Sequence, residues 1–368
     1  MSSVYLQRAR PISMFTVILA VIMLASCTTV DTSKKKLIPY PEPPDVPRFY
    51  WERTLRGSAD IAQDSSQDLL RRMVTGEKKT GKGIVKPYGI VVSKGRVFVA
   101  DTAAAKVFVF DVPAKNFYEI GDLKGPGLLQ KPMTVAIDAQ DNLYIVDTGD
   151  KTVKEFTAEG KYLATFAGGK DDLDRPTGIA VTPDGSRIYV VDTGGVTSKK
   201  HHVRVYDTAT NKRLFDIGQR GTLEGEFNLP NNIAMGKDGN LYVVDGGNFR
   251  IQVLDQQGNF IRSFGEIGRL GGQFSRPKGI ALDGDDNVYV VDAAFGNFQI
   301  FNSKGQLLMY IGKRQKRGAA GEYFLPAGIA VDEDGRVYVG DQFFRKIDVY
   351  RPAALKENEG YLGYGLQP

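Results

Sequence analysis

Six aspartates are the residues in this chain best placed to do chemistry, because they recur. Asp101, Asp147, Asp192, Asp245, Asp292 and Asp341 follow one another at intervals of 45 to 53 residues. Each closes a β-branched and aromatic run: VFVAD, LYIVD, IYVVD, LYVVD, VYVVD and VYVGD. Six carboxylates converging on one point would hold a hard cation or share a proton. A residue that every repeat demands has a simpler use, as an Asp side chain bonds the backbone of the turn after it. The six are therefore read as structural turn residues. Histidine is scarcer: His201 and His202 are the only two, and they are adjacent. Aligning Asp207 with Asp255 places His202 in the slot of Arg250, filled elsewhere by Lys106, Thr152, Asn297 and Lys346. A histidine-bound metal needs ligands from several repeats, so His202 reads as a polar turn residue. The chain has no Gly-rich phosphate loop, no Ser/His/Asp set and no CxxCH haem site. No catalytic residue, metal or cofactor is expected.

The elements that carry these aspartates are strands. Between Leu229 and Gly268 the sequence gives IAM, a turn at Lys237-Asp238-Gly239, LYVVD, a turn at Gly246-Gly247-Asn248, RIQVL, a turn at Gln256 to Asn259, and FIRSF. Four short strands in forty residues, with no helix between them, make an antiparallel meander. So small a sheet cannot cover its own faces and must stack on copies of itself. The copies are present, and a proline stands 14 to 16 positions before each aspartate: Pro87, Pro132, Pro176, Pro230, Pro277 and Pro326. A four-stranded repeat of this period predicts an all-β, six-bladed β-propeller.

The motifs P-x-G-I-A-V-D, Y-V-V-D, N-x-R-I-x-V and G-x-F-x-x-x-F-G resemble the NHL repeat over residues 87–351, best in the fourth and fifth copies. The first and second copies depart from it at the Asn/Arg turn. The resemblance implies a six-bladed ring. It also raises propeller enzymes with a channel metal, for which this chain lacks converging ligands.

The sixth copy ends at Arg351-Pro352 without a fourth strand, leaving 352–368 as a polar tail. FYWERTLRG, residues 49–57, matches the fourth-strand pattern. An N-terminal strand completing the last blade removes the free sheet edge of an open array. The propeller is thus expected over 49–351, with a helix-containing connection at 58–75, where Ile61, Leu69, Leu70 and Met73 recur at helical spacing. The face crossed by that connection also receives the six prolines and the turns after the aspartates; we call it the proline face.

The first 26 residues read as an export signal: Arg8 and Arg10, an apolar core from Met14 to Ala25, and Leu24-Ala25-Ser26-Cys27 as a lipobox. The core is too short for a membrane span, which needs roughly 20 residues. Cys27, the sole cysteine, is the expected lipid attachment site, and Thr28 favours the outer membrane, facing periplasm or surface. Residues 27–48, with five prolines from Pro39 to Pro47, read as a semi-stiff spacer, and Lys34 to Lys36 as a solvated run. The formal charge is +5 from 48 basic and 43 acidic residues; losing Arg8 and Arg10 brings it to +3. Such balance gives no argument for nucleic acid.

What remains is surface. Tyr88, Met133, Thr177, Asn231, Lys278 and Ala327, each following a repeated proline, should line the channel mouth. Phe249, Phe295, Phe343 and Phe344 stand in the turns of blades four to six; they form a docking patch or pack beneath the 58–75 helix. Arg314 and Arg317 lie in the long charged loop before blade six, and TGGVTSKKH, residues 193–201, is longer than its counterparts. The reading is a monomeric, lipid-anchored envelope platform for a protein, peptide or glycan. The alternatives are a propeller hydrolase or lyase, and a purely structural part of an envelope complex.

Overall fold

The structure, a computed structural model, describes residues 37–61, 66–77, 81–122, 124–168 and 172–363. The residues behind the export and lipidation expectations, Arg8, Arg10, Cys27 and Lys34 to Lys36, lie outside that set.

Six antiparallel sheets form the blades, and a short parallel pairing of Lys313–Arg314 with Glu322–Tyr323 lies in the loop before the last of them. Five contain four consecutive strands, as in blade four with Pro230–Met235, Leu241–Asp245, Arg250–Leu254 and Phe260–Phe264. Every inner strand begins on its repeated proline. Every second strand ends on its repeated aspartate. Proline suits the first position of a strand because its missing N–H breaks no ladder bond there.

The last blade closes as the sequence predicts. Phe49–Leu55 pairs antiparallel with Lys346–Pro352, in a register running from Phe49 opposite Pro352 to Leu55 opposite Ile347. A ring of six sheets has six interfaces, whereas an open row has five. Six apolar clusters are found, one per adjacent pair of blades, and one joins Ile90, Val97 and Phe108 of blade one to Tyr338, Ile347 and Val349 of blade six.

The inner strands approach closely around the axis, and P-x-G is the motif that permits it. A Cβ on Gly328 would lie 2.1 Å from the Tyr88 carbonyl oxygen, and one on Gly279 would lie 2.4 Å from that of Ala327. Past these glycines the channel wall is the Ile-Ala-Val type triplet of each inner strand, such as Ile179-Ala180-Val181 and Ile329-Ala330-Val331, around a cavity of about 220 Å³.

Two expectations need correction. Residues 38–40, read as part of a spacer, form a fifth strand on the outside of blade six, with Ile38 opposite Trp51 and Tyr40 opposite Phe49. Prolines at 39 and 41 are tolerated because this is an edge strand. The tail after Pro352 is not loose up to residue 363. A short helix, Gly360–Gly363, inserts Leu362 into the core between blades one and six, and Tyr361 donates its N–H to Asp334 at 2.7 Å. The 58–75 connection contains a 3-10 turn at Ser58–Asp60 and an α-helix at Ser66–Thr75.

Candidate binding face

Each repeated aspartate is fully buried and joins two loops. Asp101 accepts the N–H groups of Val85 and Lys86 before the proline and of Ala103 and Ala104 in the following turn. Asp292 and Asp341 repeat the four-bond pattern. Asp147 and Asp192 each accept two N–H groups ahead of the proline and one from the turn. Asp245 accepts one backbone N–H, from Asn228, and completes its set with Asn248, Arg250 and Gln252 side chains. With its lone pairs committed to loop N–H groups, this carboxylate is a builder of the proline face. The bonds to the residues before each proline were not anticipated; the narrow range of proline-to-aspartate spacings, 14 to 16, was their signal.

His202 occupies the expected slot, directly opposite Asp192 as Arg250 is opposite Asp245. It is buried rather than turn-exposed, because Nε2 accepts a 2.9 Å bond from Arg204 Nε. Burial is the main reason its pKa is lowered, with Asp216 opposing and Arg204 reinforcing the shift. His201 is also buried, its Nδ1 accepting the Leu229 N–H and its Nε2 facing the Gly195 carbonyl, so it fastens the long 193–201 loop. Both imidazoles are engaged in contacts that hold the blade-three loop and strand. Among the described residues no group of three or more His, Cys, Asp or Glu side chains is placed to hold a metal.

At the channel mouth, Met133 and Ala327 are buried, and Thr177 is buried against the Thr193 hydroxyl. Tyr88, Asn231 and Lys278 remain as the polar set. Lys278 Nζ lies 3.4 Å from Asn231 Oδ1, while Asn231 Nδ2 donates to the Pro277 carbonyl. Burial, then Arg276 and Arg175, holds Lys278 below the usual lysine range. Burial raises the Tyr88 hydroxyl against the pull of the same two guanidinium groups.

The four phenylalanines do not form one patch. Phe249 packs on the core between blades four and five, and Phe295 is half-buried. Phe343 is 54% exposed and packs at a tilt against Phe324 at 4.6 Å and edge-to-face against Phe344 at 5.1 Å. Arg314 lies over Phe324 at 4.4 Å and donates to the Ala293 carbonyl, whereas Arg317 is simply exposed. Phe324 was missed because it stands directly before the Leu-Pro that opens blade six. Leu70 and Met73 of the Ser66–Thr75 helix are 64% and 81% exposed, so these side chains do not cover the aromatics; the Leu69 side chain lies outside the described residues.

The two faces differ most in exposed apolar groups. Val85, Leu128, Val196, Leu223, Ile267, Leu270 and Phe343 all stand in loops of the proline face, and Leu70, Met73 and Val74 in its connecting helix. On the opposite face, whose turns are rich in aspartate, Val46 and Tyr361 are comparable among the described residues, and Leu163, Leu214, Ile261, Leu307, Leu308 and Tyr310 lie on the outer strands between the two faces. The loops that present Leu223, Ile267 and Leu270 are rigid by construction. Phe227 and Phe274 plug the core at 0% exposure, and Glu226 or Gln273 caps the N–H groups at each loop tip.

Comparison with known proteins agrees with this architecture. The family model described as NHL repeat matches residues 227–254, within blade four and the loop leading into it. Protein brain tumor of Drosophila melanogaster is 26% identical over 158 residues, 41% of this chain, and human NHL repeat-containing protein 3 is 29% identical over 135 residues, 32% of it. Those matches cover only 14% and 36% of the respective relatives. Among solved structures, a Bacteroides thetaiotaomicron protein of unknown function aligns with a TM-score of 0.60 at 15% identity, covering 81% of this chain and 75% of that one. A streptogramin B lyase aligns at 0.53 and 16% identity, over 73% and 94%. At such identities these structures share the fold alone. The chain is a six-bladed β-propeller carrying an NHL repeat.

Proposed function

We propose that this propeller is a binding platform whose proline face docks a protein partner. The observation that carries the reading is the excess of exposed apolar side chains on the proline face, ten there against Val46 and Tyr361 on the opposite face, several of them on rigid loops. Soluble surfaces seldom concentrate large apolar groups on one side unless something covers them. The Arg314, Phe324 and Phe343 cluster adds the aromatic and arginine composition of an interface hot spot. Lipid attachment at Cys27 and residence in the envelope, facing periplasm or surface, belong to the same proposal and rest on the lipobox pattern alone. A photo-crosslinker placed at Leu223, Leu270 or Phe343 should give discrete adducts in cells, and one at Lys237 on the opposite face should not. Identical adducts from both faces would sink the reading. The hydrolase or lyase alternative would need a catalytic group at the axis, where the described wall below the mouth is aliphatic and the polar side chains are Tyr88, Asn231 and Lys278.

A further inference from the structure

The residues just before the repeated prolines carry a charge pattern of their own. They are Lys86, Lys131, Arg175, Leu229, Arg276 and Leu325, basic in four of six blades. In all four basic cases the backbone N–H is held by the buried aspartate of the same blade, which fixes the residue on the rim of the channel mouth. Their side chains are exposed, and Lys278 stands recessed inside the ring they form. None of these five cations forms an ion pair with a described carboxylate.

Convergence on the axis follows from the packing of the inner strands: Gly178 lies against Asn231, Gly279 against Ala327 and Gly328 against Tyr88, so the strand starts that carry Arg175, Arg276, Lys278 and Tyr88 surround one opening. The two guanidinium groups accordingly act on both Tyr88 and Lys278. Lys278 spends one of its three N–H donors on a long bond to Asn231, leaving two directed elsewhere. Below it the wall turns aliphatic, which keeps an anion at the mouth and focuses the field of the cations there. The other mouth has the opposite character, lined by Asp138, Asp141 and Glu333 with Lys94 and Lys237.

Resting on the platform reading above, we propose that the proline-face mouth is a carboxylate socket, in which a Glu or Asp side chain of the partner is seated against Lys278 and steered there by Arg175 and Arg276. Nucleic acid fits less well. A strand needs cations along a track, with aromatic platforms for its bases. Here the cations converge on one recessed amine, and the loops around them present Leu223, Ile267 and Leu270. A single acidic tip surrounded by aliphatic contacts is the chemistry of a peptide.

The test uses the full chain in detergent and fluorescein-labelled hexaglutamate, followed by fluorescence anisotropy at low ionic strength. Binding is expected, and should weaken about tenfold or more in Lys278→Met and in Arg175→Gln/Arg276→Gln, consistent with the loss of a buried charge partner. Lys278→Arg should retain most of it, and Lys237→Met at the opposite mouth should change nothing. The proposal is overturned by absent binding, by an unchanged affinity in Lys278→Met, or by tighter binding of hexathymidylate than of hexaglutamate. Crosslinking from Leu270 is scored in parallel: adducts that persist in cells while hexaglutamate fails to bind would leave the platform standing and remove the socket. Loss of the Leu270 adducts with hexaglutamate binding intact would do the reverse.

Discussion

Arg336 and Glu52, 284 residues apart, meet in a 2.8 Å hydrogen-bonded ion pair that is shut off from solvent. Arg336 is fully buried and Glu52 is 3% exposed. Burial pushes the Glu52 carboxyl up, but Arg53 and Arg336 outweigh it and hold the pKa below the usual range. The same guanidinium reaches Asp334 at 2.9 Å and the Glu359 carbonyl at 2.8 Å, so one side chain ties the closure strand, blade six and the C-terminal segment together. A buried charge with this many partners is costly to strand, and that makes the latch testable.

Glu52→Gln should lower stability by about 3 kcal/mol, because it leaves a buried guanidinium short of countercharge. The double variant Glu52→Met/Arg336→Met should be less destabilised than Arg336→Met or Glu52→Met alone. Denaturant titration with tryptophan fluorescence suits the measurement, since Trp51 lies in the closure strand itself. A wild-type midpoint for Glu52→Gln would mean that the apolar contacts alone fasten the ring.

Gly328→Ala should destabilise by about 1–3 kcal/mol, the usual cost of overpacking. Its new methyl would sit 2.1 Å from the Tyr88 carbonyl oxygen, across the interface between blades six and one. Gly284→Ala provides the control, since nothing lies within 4 Å of its added carbon. Equal melting temperatures for the two variants would refute the close approach of the inner strands.

The buried His202 sets a pH dependence. Its folded pKa is lowered from 6.5, first by burial, so the unfolded chain takes up the proton at higher pH. Its contribution is therefore complete above about pH 6.5 and is lost as pH falls through that value toward the folded pKa, at up to about 1.4 kcal/mol per pH unit. His202→Gln should flatten the stability profile in this window. An unaltered slope in the variant would assign the acid sensitivity to other groups.

Cys27→Ala should move the protein from the membrane fraction to the soluble fraction, with propeller stability unchanged. Retention on washed membranes would remove the lipid anchor from the proposal.

Phe343→Ser, alone or with Leu270→Ser, should reduce partner adducts without lowering the melting temperature, because both side chains are more than half exposed. A fall in melting temperature would place them in the fold instead of the interface.

Repetition made the architecture legible in the sequence. Prolines and aspartates 14 to 16 residues apart, with β-branched runs between them, name the inner and second strand of every blade, and the missing sixth outer strand points back to residues 49–57. The turn role of the aspartates could be read for the same reason, since a requirement imposed six times must be local. Tertiary structure decided the features that depend on neighbours far along the chain. Leu362 is an unremarkable apolar residue until the ring offers it a core. Phe249 and Phe343 both stand in the turn after a repeated aspartate, yet one is partly buried on the core between blades four and five and the other is exposed. Lys278, Arg175 and Arg276 are separate basic residues in the sequence and become one electrostatic site only when blades three and five face a common axis. Local hydrogen bonding and alternation are written in adjacent residues; burial and charge convergence are set by distances that only the closed ring defines.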